Sequence, residues 1–501
     1  MYTFSSRLKT FAFVLMVLGI LGIGYSFFTA PKNVEDVEKI LAADHHGGHG
    51  EAEHHEAAEN AHVSATTEEA HHEEAAVAPA AHDTAVAVHD SAAVAHDTVA
   101  EHAVAPVAEA HDNHDADAHA EAEHEAHDAH AEHEHHVHHM LKQLQNKPWA
   151  AVYIAALFFM LISLGALAFY AIQNAAQAGW SPVLFRVMEG ISAYLIPGAI
   201  IVYALHVCGV LDLHHLFIWM DKDEVAKDHL LQGKSGYLSK GFFLIRAAIF
   251  MGGWILYRQY ARKNSLAQDE ATDNLNYKKN FKASAAFLVF FIVSESIMSW
   301  DWIMSVDPHW YSTLFGWYVF ASFFVSGITT IALITLYLKS QGYLEYVNTS
   351  HIHDLAKFMF GISVFWTYLW FSQFMLIWYA DMPEEIVYFK MRIENYNLPF
   401  FGMVVMNFVF PVLILINTDF KRLSWIVTMA GIVILCGHYI DFFNMIMPAT
   451  VGDQWFIGAG EIGAVLFFLG LFIFVVFTAL TKAPLLAKRN PLVEESKHFH
   501  Y

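Results

Sequence analysis

Apolar residues in this chain gather into long unbroken runs, not the three-and-four spacing of a surface helix or the alternation of a half-buried strand. A helix needs about 20 mostly apolar residues to cross the ~30 Å hydrocarbon core of a bilayer. Ten segments reach or approach that length: 11–28, 149–172, 190–211, 241–257, 283–303, 312–338, 355–379, 399–416, 423–446 and 456–480. They predict an all-α polytopic membrane protein with about ten transmembrane helices. The first run follows Arg7 and Lys9 as in a signal peptide, but Pro31 directly after Ala30 argues against cleavage there. It reads as a retained membrane anchor within residues 1–43. A nine-helix membrane domain over 140–482 and a tail over 483–501 follow.

Composition agrees with this reading, since 56% of the residues are hydrophobic and only 16% charged, which excludes an ordinary soluble enzyme. The formal charge of -22 belongs to one tract. Residues 44–139 hold 23 Asp and Glu, 23 His and no Lys or Arg, leaving 27 acidic and 28 basic residues elsewhere. Nothing in that balance favours nucleic acid as a partner. Within the tract a short heptad repeat places His82, His89 and His96 seven apart between Pro79 and Pro106. The tract offers little to bury, so disorder is the expectation. Divalent-metal buffering is the sharper reading, because neutral imidazoles ligate zinc or copper, but no fixed ligand geometry recurs.

The positive-inside rule orients the chain. A cytoplasmic N-terminus puts 17 Lys and Arg on the cytoplasmic side and ten outside, with Arg246 within a helix. Both termini are then cytoplasmic, and the His-rich tract is periplasmic. The outer connections at 304–311 and 447–455 carry no Lys or Arg. Only two cysteines occur, Cys208 and Cys436, in apolar runs and without CxxC spacing. Covalent haem, iron–sulfur ligation and a disulfide framework therefore have no support, and both read as small buried hydrophobes.

Ionisable groups are costly in hydrocarbon, so those within the runs are the functional candidates. Glu295 lies twelve residues into its run, ~18 Å from the cytoplasmic start, just past the middle of the membrane. It is the first candidate proton carrier, with a structural hydrogen bond as the alternative. Asp301, Asp441, Glu461, His206, Arg246 and His438 all fall toward the outer ends of their runs. His438 and Asp441 are three apart and share a helix face. Arg246 cannot shed its charge and needs a partner, with Asp301, Asp441 or Glu461 in reach. Together these residues read as an outward proton half-channel or as a static ion-pair network. Gln373 and Asn407 read as interhelical hydrogen-bond formers, and the Trp and Tyr of 300–311 as an interfacial aromatic belt.

Asp301-Trp302 is followed by Pro308, and Asp441-Phe442 by Pro448 at the same spacing. The echo suggests two related bundles, each with an acid near the same face. Glu295 has no counterpart, because Leu435 holds the matching position.

The stretch SWDWIMSVDPHWYSTLFGWYVF, with ten spans and a charged loop before it, resembles the ActF-type integral membrane subunit of alternative complex III. That complex is the bacterial quinol:cytochrome c oxidoreductase, and the subunit belongs with the NrfD/PsrC-like membrane proteins. The likeness covers roughly residues 149–480; the His-rich insertion matches no family pattern and inherits nothing. The resemblance implies two four-helix bundles from spans 2–5 and 6–9, flanked by the first and last helices. It also implies a chain without its own cofactor, with haem c and iron–sulfur clusters in partner subunits. Expected partners are a sister NrfD-like membrane subunit, a multihaem cytochrome c and an iron–sulfur subunit, extending to a terminal oxidase. The setting is the bacterial inner membrane. Quinol oxidation is associated mainly with the sister subunit, so menaquinone is expected nearby, and this chain is implied to be scaffold and proton path. The alternatives are a quinone-binding subunit of the same complex and, from a different class, a metal- or proton-coupled secondary transporter. Against the transporter, the two acids repeat in parallel rather than inverted fashion, although parallel repeats also occur there.

Overall fold

A computed structural model describes residues 2–39 and 114–500. Residues 40–113, and with them most of the expected disordered tract and its heptad repeat, lie outside the described residues. Contacts divide the chain into one unit of Met1–Asn33 with His139–Tyr501 and a second of Val34–His138. The second unit, where described, is helical over 34–39 and again from His114.

Ten helices are long and apolar enough to cross a membrane, and no strand occurs among the described residues. They are α1 (Ser6–Thr29), α2 (Val137–Ala175), α3 (Pro182–Val210), α4 (Lys240–Gln268), α5 (Leu275–Trp302), α6 (Phe315–Ser340), α7 (Thr349–Ala380), α8 (Asn397–Leu415), α9 (Ser424–Val451) and α10 (Ala459–Leu480). Each covers one of the apolar runs to within three residues at either end. Several ends, such as the start of α2 and the end of α4, run further than hydropathy indicates, because helices continue past the hydrocarbon while their backbone still bonds internally. α5 begins at Leu275 and carries Lys278, Lys279 and Lys282 on its first turns.

Helices α3, α4 and α5 pack in series, α6 to α9 pack on one another, and α5 also packs on α6; α2 and α6 are almost wholly buried. Two glycines bring these central helices backbone to backbone. A Cβ on Gly165 would lie 2.6 Å from the Phe323 carbonyl oxygen, and one on Gly327 would lie 2.7 Å from the Ala166 nitrogen. Helices in lipid associate through such small residues, since burying apolar surface gains nothing there. α1 and α10 pack lengthwise against each other in the same way, at Gly19, Gly22, Gly463 and Gly470.

The two Asp/Pro copies differ locally. α5 ends at Trp302, a 3₁₀ turn covers Met304–Val306, and Pro308 lies in the connection. α9 instead continues through Pro448 to Val451, so the expected connection at 447–455 is largely helix. Proline lacks the N–H that would bond the carbonyl four residues back, here that of Asn444. Arg392 supplies the missing donor. Its Nε donates to the Asn444 carbonyl at 2.9 Å and its Nη1 to that of Tyr388 at 2.7 Å. Arg392 was counted among the outer loop cations, yet it is 2% exposed. It sits on an extra helix, Pro383–Glu394, and its guanidinium lies 3.3 Å from the Tyr388 ring centroid. The cysteines also depart from expectation. Cys208 is half-buried and Cys436 exposed on the outer flank of α9, and neither is bridged.

The glycine contacts carry a prediction. Gly463→Val places a Cβ 2.8 Å from the Ile23 nitrogen, whereas a side chain on Gly24 meets nothing within 4 Å. Overpacking typically costs about 1–3 kcal/mol, so Gly463→Val should lower the thermal midpoint in mild detergent while Gly24→Val leaves it unchanged. Equal shifts would remove the close approach of α1 and α10 as a determinant of stability.

Candidate functional site

The connections that follow α5 and α9 lie at one end of the membrane domain. Trp310 of the first stacks at 4.0 Å on Tyr388, in the middle of the short helix Pro383–Glu394, and Trp455 of the second stacks at 5.4 Å on Tyr396, just beyond that helix. Near this end each bundle buries an aspartate at 0% exposure.

In the first bundle Arg246 of α4 grips Asp301 of α5 with two parallel bonds, Nε to Oδ2 at 2.6 Å and Nη2 to Oδ1 at 3.0 Å. Of the three partners open to Arg246, the structure selects Asp301. The forked geometry is the strong form of this pair and suits a buried charge. Nη1 donates to the Tyr237 carbonyl at 3.1 Å, and the guanidinium lies 4.0 Å from the Tyr237 ring and 4.2 Å from the Phe242 ring. Burial, and then the Asp301 charge, push the Tyr237 phenol up, so it stays a neutral hydroxyl. His206 of α3 stands beside this pair. The Tyr153 hydroxyl donates to the Trp302 carbonyl at 2.8 Å, so at 3.1 Å it accepts from His206 Nε2. His206 Nδ1 is buried with no protein partner.

The second bundle solves the same problem without a cation. Asp441 Oδ2 accepts from Ser322 Oγ at 2.7 Å and from Trp366 Nε1 at 2.8 Å, and Oδ1 accepts from the Tyr318 hydroxyl. Having donated to Asp441, Ser322 Oγ accepts from His438 Nδ1 at 2.9 Å. His438, Ser322, Asp441 and Tyr318 thus form one hydrogen-bonded chain across α9 and α6, and His438 Nε2 is left with no protein partner. Beyond Tyr318, a small cavity is lined by Gln373, Tyr388, Arg392 and Asn444. Gln373 Nε2 and Asn444 Oδ1 are buried there without protein partners. A polar cavity of this kind holds about one water.

Glu295 stands apart from both centres. It lies seven residues before the end of α5, ~10 Å along the axis. Oε1 accepts from Ser296 Oγ at 2.8 Å, Oε2 has no protein partner, and the residue is 1% exposed. No cation pairs with it among the described residues. Glu461 joins neither aspartate. Its Oε2 accepts from the Gly458 N–H at 2.8 Å and caps the first turn of α10, where a carboxylate also meets the positive end of the helix dipole.

Sequence reasoning missed the cage around Asp441. Tyr318 and Ser322 are four apart, and polar residues at that spacing share a helix face, which was the available signal. It also missed an ionic cluster at the opposite end. There Arg186 joins Glu189 at 2.9 Å and Asp269 at 2.5 Å, and Arg262 bonds Glu189 as well. Glu189 lies one residue outside an apolar run, where a charge is not costly by hydropathy alone. Asn407 departs from expectation. Both polar atoms of its side chain are buried without protein partners, in the π-helical segment Val405–Val409 where α8 presses against Gly437.

Comparison with known protein families and with curated proteins finds no match. No group of three or more His, Cys, Asp or Glu with metal-holding geometry occurs among the described residues.

The fork between Arg246 and Asp301 predicts strong coupling. Breaking a buried pair from one side typically costs about 3–5 kcal/mol, because the remaining charge is uncompensated. Arg246→Met and Asp301→Leu should each lower the thermal midpoint sharply, and the double variant should recover most of the loss. Additive losses would show that the two residues stabilise the protein independently.

Proposed function

We propose that this chain is a cofactor-free membrane subunit of a quinol:cytochrome c oxidoreductase of the alternative complex III type. In it the chain is the scaffold and a proton path coupled to menaquinol oxidation. The observation that carries this reading is the pair of fully buried aspartates, Asp301 and Asp441, each seven residues ahead of a proline in one half of an all-α membrane domain. A duplicated all-α membrane domain with one acid centre per half is what the likeness over residues 149–480 implies. The charge distribution of the loops supports a bacterial inner-membrane setting with cytoplasmic termini. The partners are a sister NrfD-like subunit, a multihaem cytochrome c and an iron–sulfur subunit.

Within this reading the two aspartates have different jobs. Asp301 is held by a permanent cation and serves mainly to join α4 to α5. Asp441 is held by hydroxyl and indole donors and is hydrogen-bonded through Ser322 to His438. Such a chain hands protons along by exchanging donor and acceptor roles. Glu295, without a cation among the described residues, is the second carrier. A carboxyl buried this way stores strain as a charge and relieves it as a neutral acid, which suits a group that loads and unloads a proton.

Two measurements test the proposal. Affinity purification in mild detergent should bring down multihaem cytochrome c and iron–sulfur subunits with this chain. A lone oligomer that moves metal ions or protons in vesicles would contradict the assignment. In the assembled complex, Glu295→Gln and Asp441→Asn should each lower the protons released per electron while electron transfer continues. An unchanged ratio rejects the substituted residue as a carrier.

A further inference from the structure

A groove on the flank of α4 and α5 belongs to neither aspartate centre. It is an open groove of about 640 Å³ between Gly253 and Tyr260 on one helix and Ala283, Ala286 and Phe290 on the other. Its floor is the ring pair Tyr257 and Phe287, stacked with centroids 3.9 Å apart. Lys263 lines one end. From Gly253 to Lys263 the groove follows α4 for ten residues, ~15 Å of rise, or one leaflet of a hydrocarbon core ~30 Å thick.

The end at Lys263 is basic. Lys279 and Lys282 each precede a lining alanine, Ala283 and Ala286, by four residues. They therefore extend the same stripe of α5 one turn beyond the groove. All three lysines are exposed, and none is ion-paired among the described residues. Arg262 next to them is already bonded to Glu189. We propose that this groove is a specific site for one anionic phospholipid, with its phosphate on Lys263, Lys279 and Lys282 and an acyl chain along the alanines toward Phe290. Small residues make the concavity that a chain fills, and unpaired lysines at headgroup depth select the charge. A planar ring has no slot here, because Tyr257 and Phe287 already stack on each other and the Tyr257 hydroxyl shares a 2.8 Å hydrogen bond with Ser284. The site stands independently of the respiratory reading.

The test is native mass spectrometry of the purified full chain, delipidated and then offered phosphatidylglycerol or phosphatidylcholine. Phosphatidylglycerol should be held at least about tenfold more tightly, since each basic residue near a membrane surface contributes about 1 kcal/mol, or roughly fivefold. The triple variant Lys263→Gln, Lys279→Gln, Lys282→Gln should lose that preference. Ala286→Trp keeps the lysines but fills the groove, and should lose the bound lipid. Equal retention of the two lipids, an unchanged adduct in Ala286→Trp, or displacement of a quinone instead of a phospholipid would overturn the proposal.

Discussion

A buried guanidinium cannot give up its charge, and inside a membrane domain no bulk water is at hand to solvate it. Arg246 therefore has to be met by the protein, and Asp301 meets it with both oxygens while the Tyr237 carbonyl takes a third donor. That obligation fixes the distance and rotation between α4 and α5 and draws the preceding loop inward. The same requirement shapes the second bundle through different chemistry. Pro448 leaves the Asn444 carbonyl without its helical donor, and Arg392 is buried to supply one. Asp441 is then free of any cation and is caged by Tyr318, Ser322 and Trp366. One constraint, that a buried charge be met from within the protein, thus produces a fixed pair in one half and a hydrogen-bonded chain in the other.

The helices were legible because crossing hydrocarbon demands long apolar runs, and each of the ten runs became a helix. The intramembrane acids were legible for the same reason, as costly exceptions to those runs. Their partners were not, because a partner comes from a different helix and hydropathy carries no information about rotation. Arg246 had three carboxylates in reach by depth, and only the packing of α4 on α5 selects Asp301. Arg392 read as a loop cation because its helix is amphipathic and short. The Asp/Pro echo gave correct places for two acids but suggested a likeness of surroundings that the local backbone does not keep.

The lipid-facing surface adds a further contrast. The faces buried between helices are built from glycine contacts and enclose the two aspartates with their donors, whereas the flank of α4 and α5 carries three lysines with no ion pair among the described residues above an apolar groove. Unpaired cations at that depth are consistent with the outer limit of the same constraint: what the protein does not satisfy, the bilayer must.

Glu295 is a buried carboxyl that pairs with no cation among the described residues and has one oxygen without a protein partner, and the proton-path reading rests on it more than on any other residue. Infrared difference spectroscopy of the assembled complex, between its oxidised and quinol-reduced states, reports directly on buried carboxyl groups. If Glu295 carries protons, a carboxyl stretching band changes on reduction and disappears in the Glu295→Gln variant. A spectrum with no such band, or a difference spectrum that is the same in the Glu295→Gln variant, contradicts a proton-carrying Glu295.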